Sequence, residues 1–175
     1  MQMQLKVLKL DLFYNSASTG IFWHELRYLS PFAGEAADHF CRRLLSYVLL
    51  YELHPTLALQ PIKGPDLYLQ DDNHHYQLWC QVDPPSDKQL QKACHQSDQV
   101  VLMLQAKAEQ RFSSNHRRLP NVQVCTLSDE TIDQCQMMLK AGMQWNVWRE
   151  EQQLQVTDGE LMLELTLPLL PMALH

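Results

Sequence analysis

Only 5 glycines occur among the 175 residues, and no two of them stand close together. A backbone cradle for phosphate needs several glycines in one turn, so phosphate-loop nucleotide binding is excluded. Long apolar runs are missing too: none approaches the roughly 20 residues of a membrane helix. The opening MQMQLKVLKLDL carries charges where a signal peptide has a continuous apolar block. A cytoplasmic protein with no membrane partner is therefore expected. Cysteine is scarce and scattered: Cys41, Cys80, Cys94, Cys125 and Cys135 are odd in number and form no C-x-x-C pair. That spacing excludes a zinc ribbon or a dithiol redox motif and favours buried, reduced thiols. Basic charge is also short, with a net charge of −6. The broad cationic surface of a non-specific duplex binder is thereby excluded.

What is present is one core's worth of chain. Hydrophobic residues make up 46% of the sequence, and a chain of this length buries roughly 70% of its unfolded surface. No composition break or internal repeat marks a boundary, so residues 1–175 are expected to form a single domain. Charge is nevertheless uneven. Between Asp87 and Arg118 the bases Lys88, Lys92, Lys107, Arg111, Arg117 and Arg118 outnumber the acids Asp87, Asp98 and Glu109, giving +3 there and −9 elsewhere. A local anion-facing surface and an ordinary solvated helix and loop both fit that excess.

Hydrophobic periodicity predicts the elements. Met3–Leu12 alternates as a strand, with a phase slip at Val7-Leu8 that suggests a bulge. Ile21–Leu29 is a second strand. In AGEAADHFCRRLLSYVLLYE, Phe40, Leu44, Val48 and Tyr51 line one face of what should be the longest helix, ending before Pro55. Leu57–Leu59, Asp66–Leu69 and Tyr76–Val82 read as short strands, with turns at Lys63-Gly64-Pro65 and Asp71-Asp72-Asn73. The last two form a hairpin. Ser86 and Gln89 match a capping box before a helix that ends near Asp98. The wholly apolar Val100–Leu104 predicts a strand buried on both faces. A helix at Ala106–Ser114, a strand at Val122–Leu127 and a helix at Ser128–Ala141 complete an alternation that calls for parallel pairing. Met143–Arg149, Leu154–Thr157 and Glu160–Leu167 read as an antiparallel set turning at Asp158-Gly159, with the N-terminal strand as a partner.

The chemistry concentrates between Gly64 and Cys94. An aspartate behind a turn, an acid on the next strand and a lysine beyond it can hold a hard cation through oxygen and neutralise a phosphate during hydrolysis. Asp66 fills the first place, although a Pro-Asp dipeptide is also an ordinary turn. His74 and His75 are adjacent and would face opposite ways along a strand, so they do not chelate one ion together. Ser86 is better explained as a cap than as a nucleophile. Trp79, Trp145 and Trp148 could stack bases, but sheet packing accounts for them as well.

Over essentially its full length the sequence resembles the YaeQ family, a bacterial group of the PD-(D/E)XK restriction-endonuclease-like superfamily. The resemblance rests on Pro65-Asp66-Leu67, Leu78-Trp79-Cys80-Gln81-Val82, Lys92-Ala93-Cys94, Asp98 to Val101, and Glu35 to Tyr47. It implies an α+β fold: a mixed β-sheet flanked by helices in a restriction-endonuclease-like core. An additional antiparallel sheet would come from the N-terminal strands and the C-terminal hairpin. It further implies Asp66 as the motif aspartate, Gln81 at the family's usual glutamate, Lys92 as a lysine moved onto the following helix, and Glu35 as an acid on the first helix, with Asp38 one turn on. Mg²⁺ or Mn²⁺ would be the cofactor, held by Asp66 and Glu35.

Two departures stand out. Gln81 removes a formal charge and is a weaker ligand than a carboxylate. Asp83 occupies the superfamily's usual lysine position. The reading is thus a metal-dependent phosphodiester hydrolase with a degenerate site. The alternative is a catalytically silent module that uses Lys88, Lys92, Lys107 and Arg111 to hold nucleic acid or an acidic protein, with a regulatory protein-interaction role as a third.

Overall fold

A computed structural model describes residues 3–4, 6–61, 64–115 and 119–168, with side chains 113–115 excepted. Leu5, Lys63, Arg117 and Arg118, which the sequence places in a strand, a turn and a basic cluster, lie outside the described residues. Over the described residues the chain divides into two compact units, 3–41 with 130–168 and 42–129. No described helix is long and apolar enough to cross a membrane.

The first unit holds a five-stranded sheet ordered β10-β9-β8-β1-β2. Its strands are β1 (Leu8–Ser16), β2 (Ile21–Leu29), β8 (Gly142–Glu150), β9 (Gln153–Thr157) and β10 (Met162–Thr166). In β1 the residues Leu8, Leu10, Leu12 and Tyr14 are buried and the alternate ones are not. Trp145, Val147, Leu154, Val156, Leu163 and Leu165 continue that buried face.

Three sequence readings are corrected in this unit. The slip at Val7-Leu8 is not a bulge: β1 begins at Leu8, Val7 is exposed, and β1 pairs with β2 without a break from Leu8↔Leu29 to Ser16↔Ile21. A change of phase there marks where pairing starts. The sheet is also mixed rather than antiparallel, because β1 and β8 run parallel, Lys9↔Gly142 to Ser16↔Arg149. Parallel neighbours need a long crossover, and the chain between them supplies one. Finally, β10 starts at Met162 rather than Glu160. Asp158 Oδ1 accepts from the N–H groups of Glu160 (2.9 Å) and Leu161 (2.7 Å), which draws both residues into a four-residue turn.

The second unit holds a mixed sheet ordered β3-β4-β5-β6-β7. The strands β3 (Thr56–Leu57), β4 (Leu67–Gln70) and β5 (Tyr76–Gln81) pair antiparallel. β5, β6 (Ser97–Gln105) and β7 (Val122–Leu127) pair parallel. β3 is shorter than Leu57–Leu59 predicted, since Leu59 is exposed and unpaired in the ladder.

The helices that join the parallel strands are α2 (Asp87–Gln96) and α3 (Ala106–Asn115). Both bury side chains in one cluster of Trp79, Leu90, Ala93, Val100, Leu102, Leu104 and Phe112, so both cover the same face of the sheet. The predicted capping box is present: Ser86 Oγ accepts from Gln89 N–H and Gln89 Oε1 from Ser86 N–H. β6 is buried on both faces, as its apolar run requires: Val101 and Met103 are as inaccessible as Leu102 and Leu104.

Two further helices span the limits of the units. α1 (Ala37–Leu49) is the longest at 13 residues and is followed by a 3-10 turn, Tyr51–Leu53. One apolar face was predicted for it, yet every residue from Phe40 to Tyr51 is buried, Arg42, Arg43 and Ser46 included. α4 (Asp129–Met138) ends three residues before the predicted Ala141.

Candidate functional site

Asp66 stands immediately before β4, and the β4–β5 register of Leu67↔Cys80 sets it opposite Gln81. Residues directly opposite across an antiparallel pair project to the same face. That face is the one covered by α2, because Tyr68, Trp79 and Leu102 lie on it by register and α2 packs on Trp79 and Leu102. Asp66 and Gln81 are thereby brought together at the carboxyl end of β5.

Both have hydrogen-bonding duties there. Asp66 N–H donates to Cys80 O and Asp66 O accepts from Ala58 N–H, each at 2.8 Å, so the main chain continues both ladders past the strand ends. Asp66 Oδ2 accepts from Val82 N–H at 2.9 Å. Gln81 Oε1 accepts from Trp79 Nε1 at 3.2 Å, the same-face neighbour two residues back. Burial and then the Asp66 carboxylate push the Cys80 thiol well above its ordinary range, and burial raises Cys125 to about 11. Neither thiol is a nucleophile at neutral pH.

Lys92 is placed differently. The buried side of α2 is marked by Leu90 and Ala93, and at 3.6 residues per turn Lys92 lies about 200° round from Leu90. Its side chain is exposed on the outer side of the helix, together with Lys88 one turn earlier. Lys107 and Arg111 are likewise exposed and one turn apart on α3. Both helices begin at the carboxyl ends of parallel strands, the end at which Asp66 and Gln81 also lie.

Glu35 belongs to the other unit. It is not on the first helix, as the resemblance implied: Phe40 N–H donating to Ala36 O makes the first helical bond, and α1 starts at Ala37. Its buried carboxylate is committed locally. Oε1 accepts from Phe32 N–H at 2.9 Å, which closes the turn carrying Gly34 (φ 73°), and Oε2 bonds His39 Nδ1. Asp38, in the first turn of α1, is half-buried.

Two arginines escaped the sequence reading as site residues. Arg42 Nη1 donates to Val82 O at 2.5 Å and to Asp83 Oδ1 at 2.8 Å. Asp83 is thus tied to a cation. Arg43, fully buried, donates from Nη1 to Ala58 O at 3.2 Å. Since Ala58 N–H bonds Asp66 O and Val82 N–H bonds Asp66 Oδ2, the consecutive arginines brace both segments that hold Asp66. The signal was available: two cations inside the apolar run CRRLLSYVLLY are buried charges that must find partners.

Mg²⁺ keeps several waters and is held by one or two carboxylates that are free to face it. Asp66 and Gln81 supply one carboxylate and one amide, both already hydrogen-bonded. Among the described residues no group of three or more His, Cys, Asp or Glu gathers to hold a metal. This donor set does not fit a resident Mg²⁺ or Mn²⁺.

The other sequence candidates are structural. His75 Nε2 pairs with Asp98 Oδ1 at 2.7 Å, and His74 takes a left-handed conformation (φ 62°) in the turn. Trp79 and Trp145 are buried, and Trp148 lies on the opposite, exposed side of β8 from Trp145.

Similarity to known proteins agrees with this architecture. The fold is similar to the crystal structure of the YaeQ protein from Xanthomonas axonopodis pv. citri, with a TM-score of 0.82 at 20% identity over 92% of this chain and 95% of that one. It is also similar to the YaeQ protein from Pseudomonas syringae, with a TM-score of 0.79 at 16% identity over 91% and 92%. A comparison with curated proteins finds no match. The YaeQ protein family model matches residues 19–167, across both units, and the chain therefore belongs to the YaeQ family.

Proposed function

We propose that this protein, acting in the cytoplasm as a single YaeQ-like domain, holds the phosphate backbone of a nucleic acid along the outer sides of α2 and α3. Its scaffold is a restriction-endonuclease-like core of the PD-(D/E)XK type whose hydrolytic site has lost a carboxylate. The observation that carries the reading is the placement of four cations. Lys88 with Lys92, and Lys107 with Arg111, stand one turn apart on the exposed sides of two helices that cover one sheet face. Phosphates meet such a strip as point charges, and each neutralised phosphate releases counterions. In open α/β sheets, ligands bind outside the carboxyl ends of parallel strands, where both helices begin.

The test is fluorescence anisotropy of labelled single-stranded DNA, duplex DNA and RNA oligonucleotides against salt. Lys88→Glu with Lys92→Glu should weaken binding about tenfold or more and lower the salt slope by about two. Binding should survive a chelator. Unchanged affinity in the double variant would refute the proposal.

A second reading, metal-dependent hydrolysis, is favoured by one observation, the facing of Asp66 and Gln81. Gln81→Glu restores the missing charge. Mn²⁺ titration calorimetry should then show an affinity gain that Asp66→Ala removes; no gain would end that reading.

A further inference from the structure

β2 ends its sheet, and its far edge bears the means of pairing with a second copy of itself. The direction of its backbone groups follows from one bond. Lys9 N–H donates to Ala141 O, on the β8 side, so odd-numbered residues of β1 turn their backbone toward β8 and even-numbered ones toward β2. Through the register Leu10↔Arg27 and Leu12↔Glu25, the odd-numbered residues of β2 face β1. Phe22, His24, Leu26 and Tyr28 therefore present their N–H and C=O groups to the open edge. Among the described residues no strand pairs there. The edge is nine residues long, without proline or bulge. Natural proteins protect such an edge or use it.

Three of these four residues carry exposed apolar surface: Phe22 is 63% accessible, Tyr28 66% and Leu26 46%. Large exposed apolar groups in one row mark an interaction site more often than a bare surface.

Charge selects both occupant and register. A two-fold axis perpendicular to the sheet pairs only residues on the same face, which leaves registers centred on single residues. Centring on Glu25 or Arg27 sets like charge against like. Centring on His24 sets Glu25 against Trp23 and pairs no charges. Centring on Leu26 sets Glu25 against Arg27 of the second copy, twice, with Leu26 on Leu26 and His24 on Tyr28. Glu25 and Arg27 already form an ion pair at 2.8 Å within one strand, with side chains 34% and 48% exposed. In the Leu26-centred register these four charges alternate in sign around the axis.

We infer that two copies of this chain associate antiparallel through β2, centred on Leu26, to give a continuous ten-stranded sheet. This is independent of the nucleic-acid reading. A single strand-edge contact lies below roughly 1,200 Å² in total, so a micromolar dissociation constant is expected.

Sedimentation equilibrium from about 1 to 500 µM should show a monomer–dimer equilibrium; a monomer throughout that range would overturn the inference. Glu25→Arg and Arg27→Glu should each weaken self-association at least tenfold, while an equimolar mixture of the two variants should associate as a heterodimer. The double variant should recover the wild-type constant. Failure of both recoveries would overturn the proposed register even if either single variant were poorly folded. Leu26→Cys gives a separate check. Hydrogen-bonded partners lie about 5.5 Å apart between Cα atoms, within disulfide range, so mild oxidation should cross-link Leu26→Cys into dimers and leave Phe22→Cys uncross-linked.

Discussion

The sheet of the first unit alternates sharply between a buried and an exposed side, whereas β6 of the second unit is buried on both. Along β8, Trp145 is inaccessible and Trp148 is half exposed. Along β6, Val101 to Leu104 are all inaccessible. The first sheet is packed on one side only, whereas β6 is covered by α2 and α3 on its Val100, Leu102 and Leu104 side and is equally inaccessible at Val101 and Met103 on the other. Where function can sit follows from this contrast. The first sheet offers an exposed side and the β2 edge; in the second, the cations, Asp66 and Gln81 lie at strand ends and on outer helix sides.

Substitutions can break or sharpen that contrast. The largest effect is expected for Trp145→Ala, about 3–5 kcal/mol of lost stability, while Trp148→Ala should stay within about 0.5 kcal/mol. Denaturant unfolding reads both, and equal costs would abolish the distinction between the two sides. Next, Leu102→Ala and Met103→Ala, neighbours on opposite faces of β6, should each cost about 2–5 kcal/mol. A cheap Met103→Ala would mean that one face of β6 is not packed. Smaller again is Ser86→Ala, about 1 kcal/mol by loss of the capping box that starts α2, measured as a shift in urea midpoint at constant slope.

The smallest effect concerns His75 at the rim of the second sheet. Its hydrogen bond to Asp98 leads the causes that hold its pKa above the ordinary 6.5. Its stabilising contribution is therefore fully present below pH 6.5 and is lost as pH rises through the folded-state value. The stability difference between wild type and His75→Gln should shrink across that window; a difference flat from pH 5 to 9 would show that the pair does not couple to folding.

Much of this was legible in local pattern. Ile21–Leu29 and Val122–Leu127 are strands over the residues that alternation marks, and the Ser86–Gln89 capping box forms as the spacing requires. Each depends on neighbours within a few residues. Other readings moved. Glu35 precedes α1 rather than lying on it, and its carboxylate closes the turn to Phe32. Lys92 stands where the resemblance implied a lysine, but the burial of Leu90 and Ala93 turns it outward. The periodic pattern of α1 marked one apolar face, yet the helix is buried all round from Phe40, with Arg42 and Arg43 donating to the carbonyl groups of Val82 and Ala58.

By itself the sequence determined the family and most of the strands and helices, since residue type and period are local properties. Only the tertiary structure decided that Asp66 and Gln81 face each other, that Arg42 and Arg43 brace the segments around Asp66, and that β1 lies parallel to β8. Those outcomes turn on strand register and on the burial of charge, both of which are set by residues far apart in the chain.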